Sequence, residues 1–447
     1  MRIYTQPRDS VRGIPRTESR NYDQQVRRAY PTVPALQMRK NSMIRACYLI
    51  VLQLVRPLWW ICERVWQQRS ANDPQRVLLI AYNDLTARYL QPSAEILRRD
   101  GQVHICCTRP PFVDSRVPRP RILGRLRVKW VGFFHSLLIR WDLIVVADHF
   151  PAELYHPRIR KMFVTHGLFA GKRFDDSNYV YGRRAERNGT PAYYKMLASG
   201  PAELACAEQV NPSLRDRLAL VGDCELDQLL AMQSRRADIR ARLGYATSEK
   251  VILIASSWGP SSLVHTVGEQ LFEQAIQTNK YRLIVSVHPN NLTRGSRRAD
   301  VRRMLDRLTA AGIRVIAPDE RWQPYLTAAD AMITDYTSLG LYFAPLVRPL
   351  AMVPFDEDEF TAGSPLRQLA AIVPKIDLDT DLVENIDAAL RDCSLTALQR
   401  FSKTLVRQPG TARSSLQSQL HEALDRNHVA PPFTNITPNA IQPLAAS

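Results

Sequence analysis

Short apolar runs of four to seven residues recur along the chain, separated by stretches in which apolar positions return at helical spacing. The first series of runs reads as β-strands over Arg76–Ala81, Gln102–Thr108, Asp142–Ala147, Met162–Thr165, Met196–Ser199 and Leu218–Val221, with helices fitting over Leu85–Arg99 and Leu123–Arg140. After a polar, charged stretch from Ala231 to Ser248 that reads as a helix and linker, a second series follows: Val251–Ala255, Leu283–Val287, Ile313–Ala317, Ala331–Thr334 and Leu350–Val353. Strand and helix in alternation predict an α/β fold with parallel sheets, here two Rossmann-like domains over 75–232 and 249–390, then C-terminal helices over 391–427. Residues 1–42 form a polar, Arg- and Pro-rich arm and 428–447 a Pro-containing tail, both predicted disordered.

Residues 43–70 stand apart. They are apolar and rich in Trp and Arg, but Arg45, Arg56 and Pro57 interrupt them before the roughly 20 apolar residues that a spanning helix needs. Two readings fit: a helix lying in the headgroup region of a membrane, or one packed on the first domain. Some forty polar residues precede the apolar part, which argues against a cleaved signal peptide.

Charge sharpens this picture. The net charge is +17, and residues 1–70 supply nine of those excess positive charges, with 13 Lys and Arg against 4 Asp and Glu. The basic excess therefore belongs mostly to the arm, where it suits an anionic membrane surface. No basic-aromatic recognition motif accompanies it, so nucleic acid is not an expected partner. The seven cysteines lack metal-ligand spacing and read as reduced, mostly buried thiols of a cytosolic protein. Gly-x-Gly-x-x-Gly and Walker loops are absent, which counts against dinucleotide oxidoreductases and P-loop NTPases.

Ligands of doubly wound folds bind beyond the carboxyl ends of the strands, so the residues after each strand make up the candidate site. Met162–Thr165 ends in His166-Gly167, followed by Lys172 and Arg173. An imidazole there can take a proton from an attacking hydroxyl, the glycine lets a substrate approach the backbone, and the two cations suit an anionic acceptor. Val251–Ala255 ends in Ser256-Ser257-Trp258-Gly259, and Leu283–Val287 in His288-Pro289, a loop and an imidazole suited to phosphate. Ala331–Thr334 ends in Asp335-Tyr336-Thr337-Ser338, small hydroxyl residues that open an apolar helix whose N-terminus suits an anion. Taken singly, each also fits a plain turn, a capped strand end or an ordinary histidine.

Taken together, Val164-Thr165-His166-Gly167, Val221-Gly222-Asp223 with Asp227, Ile254-Ala255-Ser256-Ser257-Trp258, Val287-His288-Pro289 and Ile333-Thr334-Asp335-Tyr336-Thr337-Ser338 resemble the ordered motifs of the CDP-glycerol glycerophosphotransferase family. That family comprises teichoic-acid primases, polymerases and related capsule enzymes. The resemblance covers roughly residues 75–390 and is most specific from Ala329 to Phe360. It implies a GT-B architecture with an acceptor domain followed by a nucleotide-donor domain, and transfer of a polyol phosphate from a CDP-polyol to an acceptor hydroxyl with release of CMP. It also implies His166 as base, with His288, Ser256, Ser257, Asp335, Thr337 and Ser338 at the donor diphosphate and Gly167, Lys172 and Arg173 on the acceptor side. No metal or cofactor is implied: the CDP-polyol is substrate, the acceptor is lipid-linked or polymeric, and the enzyme works in the cytoplasm, peripheral on the inner face of the cell membrane. Thr165 stands where the family usually has Trp, Cys224-Glu225 replaces Pro-Arg, and Gly259 follows Trp258 where Arg is common. Lost arginines remove phosphate contacts, which keeps a second reading open, a GT-B nucleotide-sugar glycosyltransferase or epimerase.

Overall fold

The computed structural model describes residues 73–425, apart from 111–119, 175–176, 188, 294–296, 378–379 and 406–407. The basic arm, the Trp- and Arg-rich stretch and the tail lie outside the described residues. No described helix is long and apolar enough to cross a membrane.

Two all-parallel sheets organise the chain. The first holds β1 (Gln75–Ile80), β2 (Val103–Thr108), β3 (Lys129–Trp130), β4 (Leu143–Val146), β5 (Arg160–Val164), β6 (Lys195–Ala198) and β7 (Leu218–Leu220), in the order β7-β6-β5-β4-β1-β2-β3. The second holds β8 (Val251–Ser256), β9 (Arg282–Val287), β10 (Arg314–Val315), β11 (Ala331–Thr334) and β12 (Leu350–Met352), in the order β10-β9-β8-β11-β12. Both orders reverse once, between β1 and β4 and between β8 and β11. Those reversals are the switch points at which doubly wound sheets open a crevice. Continuous apolar runs are what strands covered on both faces require, and Val77–Ala81, Leu143–Ala147 and Val251–Ala255 are almost completely buried.

Helix α1 (Asp84–Arg98) begins one residue before the predicted start. Its N-cap Asn83 accepts from the Thr86 N–H at 3.0 Å, and the Thr86 hydroxyl accepts from the Asn83 N–H at 3.2 Å. The helix expected over Leu123–Arg140 does not form as one element. Arg121–Arg125 makes a short helix, Arg127 takes a left-handed φ of 54°, β3 pairs with the edge of β2 through Cys106–Lys129 and Cys107–Trp130, and Gly132 caps a second short helix, Phe133–Leu138. The unpaired edge of β2 gains a partner strand, and that tertiary pairing overrides the helical period of the sequence.

Beyond β7, α2 (Cys224–Ala231) and the helix Arg236–Arg242 lead towards the second sheet. Leu226 and Leu229 share a core with Met332 and Leu350, and Arg236 and Arg240 hold Asp330 at 2.6 and 2.9 Å. The last described helix returns to the first sheet, where its Leu416, Leu420 and Ala423 pack with Leu90 and Ala94 of α1. Five cysteines fall among the described residues, and all are free thiols.

Candidate active site

Between the two sheets lies a cleft of about 280 Å³. From the first lobe it is lined by Thr165, His166, Gly167 and Lys172, and from the second by Ser256, Ser257, Trp258, His288, Thr337 and Ser338. The carboxyl end of β5 supplies one wall. The ends of β8 and β11, which flank the second switch point, supply the other with that of β9.

The two imidazoles are held in opposite tautomers. His166 Nδ1 lies 2.6 Å from the carbonyl oxygen of Ala147, at the end of β4; a carbonyl only accepts, so Nδ1 carries a proton, and in the neutral ring Nε2 keeps a lone pair. His288 Nδ1 accepts the Asn290 N–H at 3.1 Å, so in the neutral ring Nε2 carries the proton. In their neutral forms the two rings thus carry their protons on different nitrogens. His149, which no sequence pattern singled out, is a contrasting case. Both its ring nitrogens are engaged, with the Tyr193 hydroxyl and the Val180 carbonyl at 2.9 Å each, and burial pushes its pKa down to about 4. It is a neutral strut under the first wall.

Gly167, with φ of +117°, brings the walls together: a Cβ built there would lie 3.4 Å from the Tyr89 hydroxyl and 3.5 Å from Ser338 Oγ. His166 therefore sits beside the hydroxyl residues of the opposite lobe. Helix α3 (Ser338–Phe343) has only six residues, so its backbone dipole adds little beyond the N–H groups of its first turn. Its N-cap Thr337 accepts from the Leu339 N–H at 3.4 Å and can still donate its own proton.

Asp335 and Arg173 are placed differently from the sequence expectation. Asp335 does not face the cleft; it is 1% exposed and sits behind the loops. Its carboxylate accepts from the N–H groups of Ser257, Leu263 and Thr337 at 2.8 to 2.9 Å and from the Ser256 hydroxyl at 3.2 Å. Burial pushes its pKa up to about 6 although those donors pull the other way. An acidic group suits this scaffold role, since it would repel a diphosphate. Asp335 ties the β8 and β11 loops to each other. The Ser256 hydroxyl is taken up in the same network, donating to Asp335 and accepting from the Val264 N–H at 3.0 Å. Arg173 points away from the cleft into a neighbouring surface pocket with Asn178, Arg183 and Arg367.

Lys172 crosses to the second lobe. The strap Gly171–Lys172 pairs with Phe360 and Thr361, with the Thr361 N–H donating to the Gly171 carbonyl at 2.8 Å. The ammonium lies 5.1 Å from the Trp258 ring centre, 5.0 Å from that of Tyr336 and 3.9 Å from Glu359. Burial lowers its pKa, against the pull of Glu359. Among the described residues no group of three or more His, Cys, Asp and Glu side chains is placed to hold a metal ion.

The sequence profile of the CDP-Glycerol:Poly(glycerophosphate) glycerophosphotransferase family matches residues 135–366, more than half the chain and the span that carries both histidines. The chain belongs to that family. It is thus a transferase of the glycerophosphotransferase type. No curated protein matches it. Among solved structures, the wall teichoic acid polymerase TagF aligns over 88% of this chain and 98% of its own, at 14% identity and a TM-score of 0.53. A TagF structure soaked with CDPG aligns over the same shares at 14% identity and a TM-score of 0.52. The S. aureus MnaA–UDP structure aligns over 80% of this chain and 98% of its own, at 12% identity and a TM-score of 0.54. At such identities the likeness speaks for the fold, which is GT-B-like.

Within this glycerophosphotransferase the cleft also holds side chains that no local motif marked. The hydroxyl of Tyr89 of α1 lies 3.4 Å from the Tyr342 hydroxyl of α3, which donates at 2.9 Å to Asp223 of the Val221-Gly222-Asp223 motif behind the cleft. Burial pushes the pKa of Asp223 up to about 7. Arg88, Glu320 and Trp322 line the same end of the cleft. Each lies on a helix or loop whose partners come from distant parts of the chain.

Proposed function

We propose that the enzyme moves a polyol phosphate of the glycerol phosphate kind from a CDP-activated donor to an acceptor hydroxyl in the synthesis of a cell-envelope polymer, releasing CMP. The observation that carries the reading is the pair of imidazoles in one cleft of a family member, His166 with Nδ1 against a carbonyl and His288 with Nδ1 against an N–H. His166 Nε2 takes the proton of the acceptor hydroxyl as its oxygen bonds to the phosphorus next to the polyol. The bond from that phosphorus to the bridging oxygen breaks, and CMP leaves with the electron pair. His288 Nε2–H, Thr337 and Ser338 donate to the diphosphate as charge gathers on the departing phosphate. Lys172, held over Trp258 and Tyr336, adds a positive charge beside them. Ser257 contributes its loop position, and Gly167 leaves room for the acceptor.

The acceptor in this reading is lipid-linked or polymeric, and the enzyme works at the cytoplasmic membrane face. An exposed apolar pair supports the latter: Phe134 is 59% and Leu138 45% exposed, one helical turn apart. In the same stretch of chain Arg125, Arg127, Lys129 and Arg140 are exposed, and residues 120–141 contain no Asp or Glu. Such a surface complements an anionic bilayer.

Incubation of the purified enzyme with labelled CDP-glycerol and a lipid-linked acceptor tests the chemistry. CMP release dependent on acceptor is expected. UDP release from a nucleotide-sugar, without CMP release, would move the enzyme to the glycosyltransferase or epimerase reading. Phe134→Ser with Leu138→Ser should weaken binding to phosphatidylglycerol vesicles; equal binding would remove this surface from the contact.

A further inference from the structure

Arg88 extends from the middle of α1 into the cleft and is only 5% exposed. An arginine keeps its charge at any ordinary pH, so burial requires that its N–H groups be satisfied. Here they are not. Nη2 donates to the Glu320 carbonyl at a long 3.3 Å, and Nε, wholly buried, has no hydrogen-bond partner among the described residues. The nearby acid does not close the account. Glu225 feels the Arg88 charge, but its oxygens are occupied by Arg321 at 3.2 Å and by the Gln323 amide.

A buried guanidinium with an unused Nε–H, on a side chain that lines a cleft, lacks a partner that arrives from outside. The neighbouring residue, Tyr89, has its hydroxyl 3.4 Å from where a Gly167 Cβ would stand, so this end of the cleft adjoins the His166–Ser338 junction. Nε with an adjacent Nη forms the planar fork that grips two oxygens of a phosphoryl group.

We propose that Arg88 binds phosphoryl oxygens in the cleft from the first-lobe side, facing Thr337 and Ser338. The assignment rests on the phosphotransfer reading above for where the phosphate comes from, either the donor's diphosphate or the terminal phosphate of the acceptor. It supplies an arginine contact in a chain that has Gly259 directly after Trp258.

The test measures binding of inorganic pyrophosphate, CDP and glycerol 3-phosphate to the full chain and to Arg88→Met and Arg88→Lys, together with each unliganded melting temperature. At least one phosphate probe should bind about tenfold or more weakly to Arg88→Met, with a smaller loss in Arg88→Lys, which keeps the charge and not the fork. The unliganded Arg88→Met protein should melt no lower than wild type, because a buried unpaired N–H has been removed; a purely structural arginine would lower it. Weakened pyrophosphate and CDP assign the contact to the donor, and weakened glycerol 3-phosphate alone assigns it to the acceptor. Affinities within twofold for all three probes in both variants would overturn the proposal. Wild type that binds pyrophosphate in an Arg88-dependent manner but discriminates against CDP would leave Arg88 in place and overturn the CDP donor instead.

Discussion

Gly171→Ala tests the strap that carries Lys172 across the cleft. Gly171 has φ of +82°, and a Cβ added there would lie 2.2 Å from Ser364 Cβ and 2.8 Å from Ser364 Oγ. The left-handed backbone alone costs an alanine about 1–2 kcal/mol. Carbon atoms pack at about 3.5–4 Å, so the overlap exceeds an ångström, and relieving such overpacking costs about 1–3 kcal/mol. The strap could instead let go. That route loses the Thr361–Gly171 bond at 2.8 Å and the Asn178–Thr361 bond at 2.9 Å, about 0.5–1.5 kcal/mol each, and the seat of Lys172 on two rings, about 0.5–2 kcal/mol. The first route costs about 2–5 kcal/mol and the second about 1.5–5 kcal/mol, so either way the loss is at least about 1.5 kcal/mol. Urea denaturation reads the total, and hydrogen exchange at the Thr361 amide tells detachment from compression. Adding Ser364→Gly, which removes the opposing Cβ, should recover the packing part and leave the backbone part. A midpoint shift worth less than about 0.5 kcal/mol with unchanged Thr361 exchange would refute the reasoning, since neither escape is that cheap.

His166→Ala should lower turnover about 10²- to 10⁴-fold and leave nucleotide affinity within a few fold, as befits a base that acts on the acceptor; loss of nucleotide binding would place His166 at the donor instead. Thr337→Val with Ser338→Ala removes two hydroxyl donors and should weaken nucleotide binding by about 1–3 kcal/mol in equilibrium titration; unchanged affinity would take both out of the diphosphate site. Asp223 supplies a pH signature: its carboxyl titrates at about 7 in the fold, up from 3.8. The folded chain therefore holds a proton that the unfolded chain releases, so this stabilisation is complete below pH 4 and is lost as pH rises through 7, about 4 kcal/mol in all. Asp223→Asn should flatten the fall in urea midpoint between pH 4 and 7; an identical slope in both proteins would show that Asp223 does not cause it.

The arithmetic of short apolar runs was enough to predict parallel sheets, because strands covered on both faces must be apolar throughout. It also told where to look, since each candidate motif begins where such a run stops. His166, His288, Thr337 and Ser338 could be named for that reason, and the family resemblance rests on the same strand ends. What the chain's local pattern does not contain is which distant groups meet. Arg88 reads as one more cation on a helix until Glu320, 232 residues away, stands across from it. The apparent helix over Leu123–Arg140 splits because the edge of β2 takes a partner from it. Asp335 reads as a ligand contact until four donors from two loops surround it. Even the chemistry of the two imidazoles is decided by backbone groups, the Ala147 carbonyl and the Asn290 N–H, that only folding brings to them. Periodicity is a property of neighbours along the chain and survives in the sequence; protonation, pairing and burial are properties of neighbours in space.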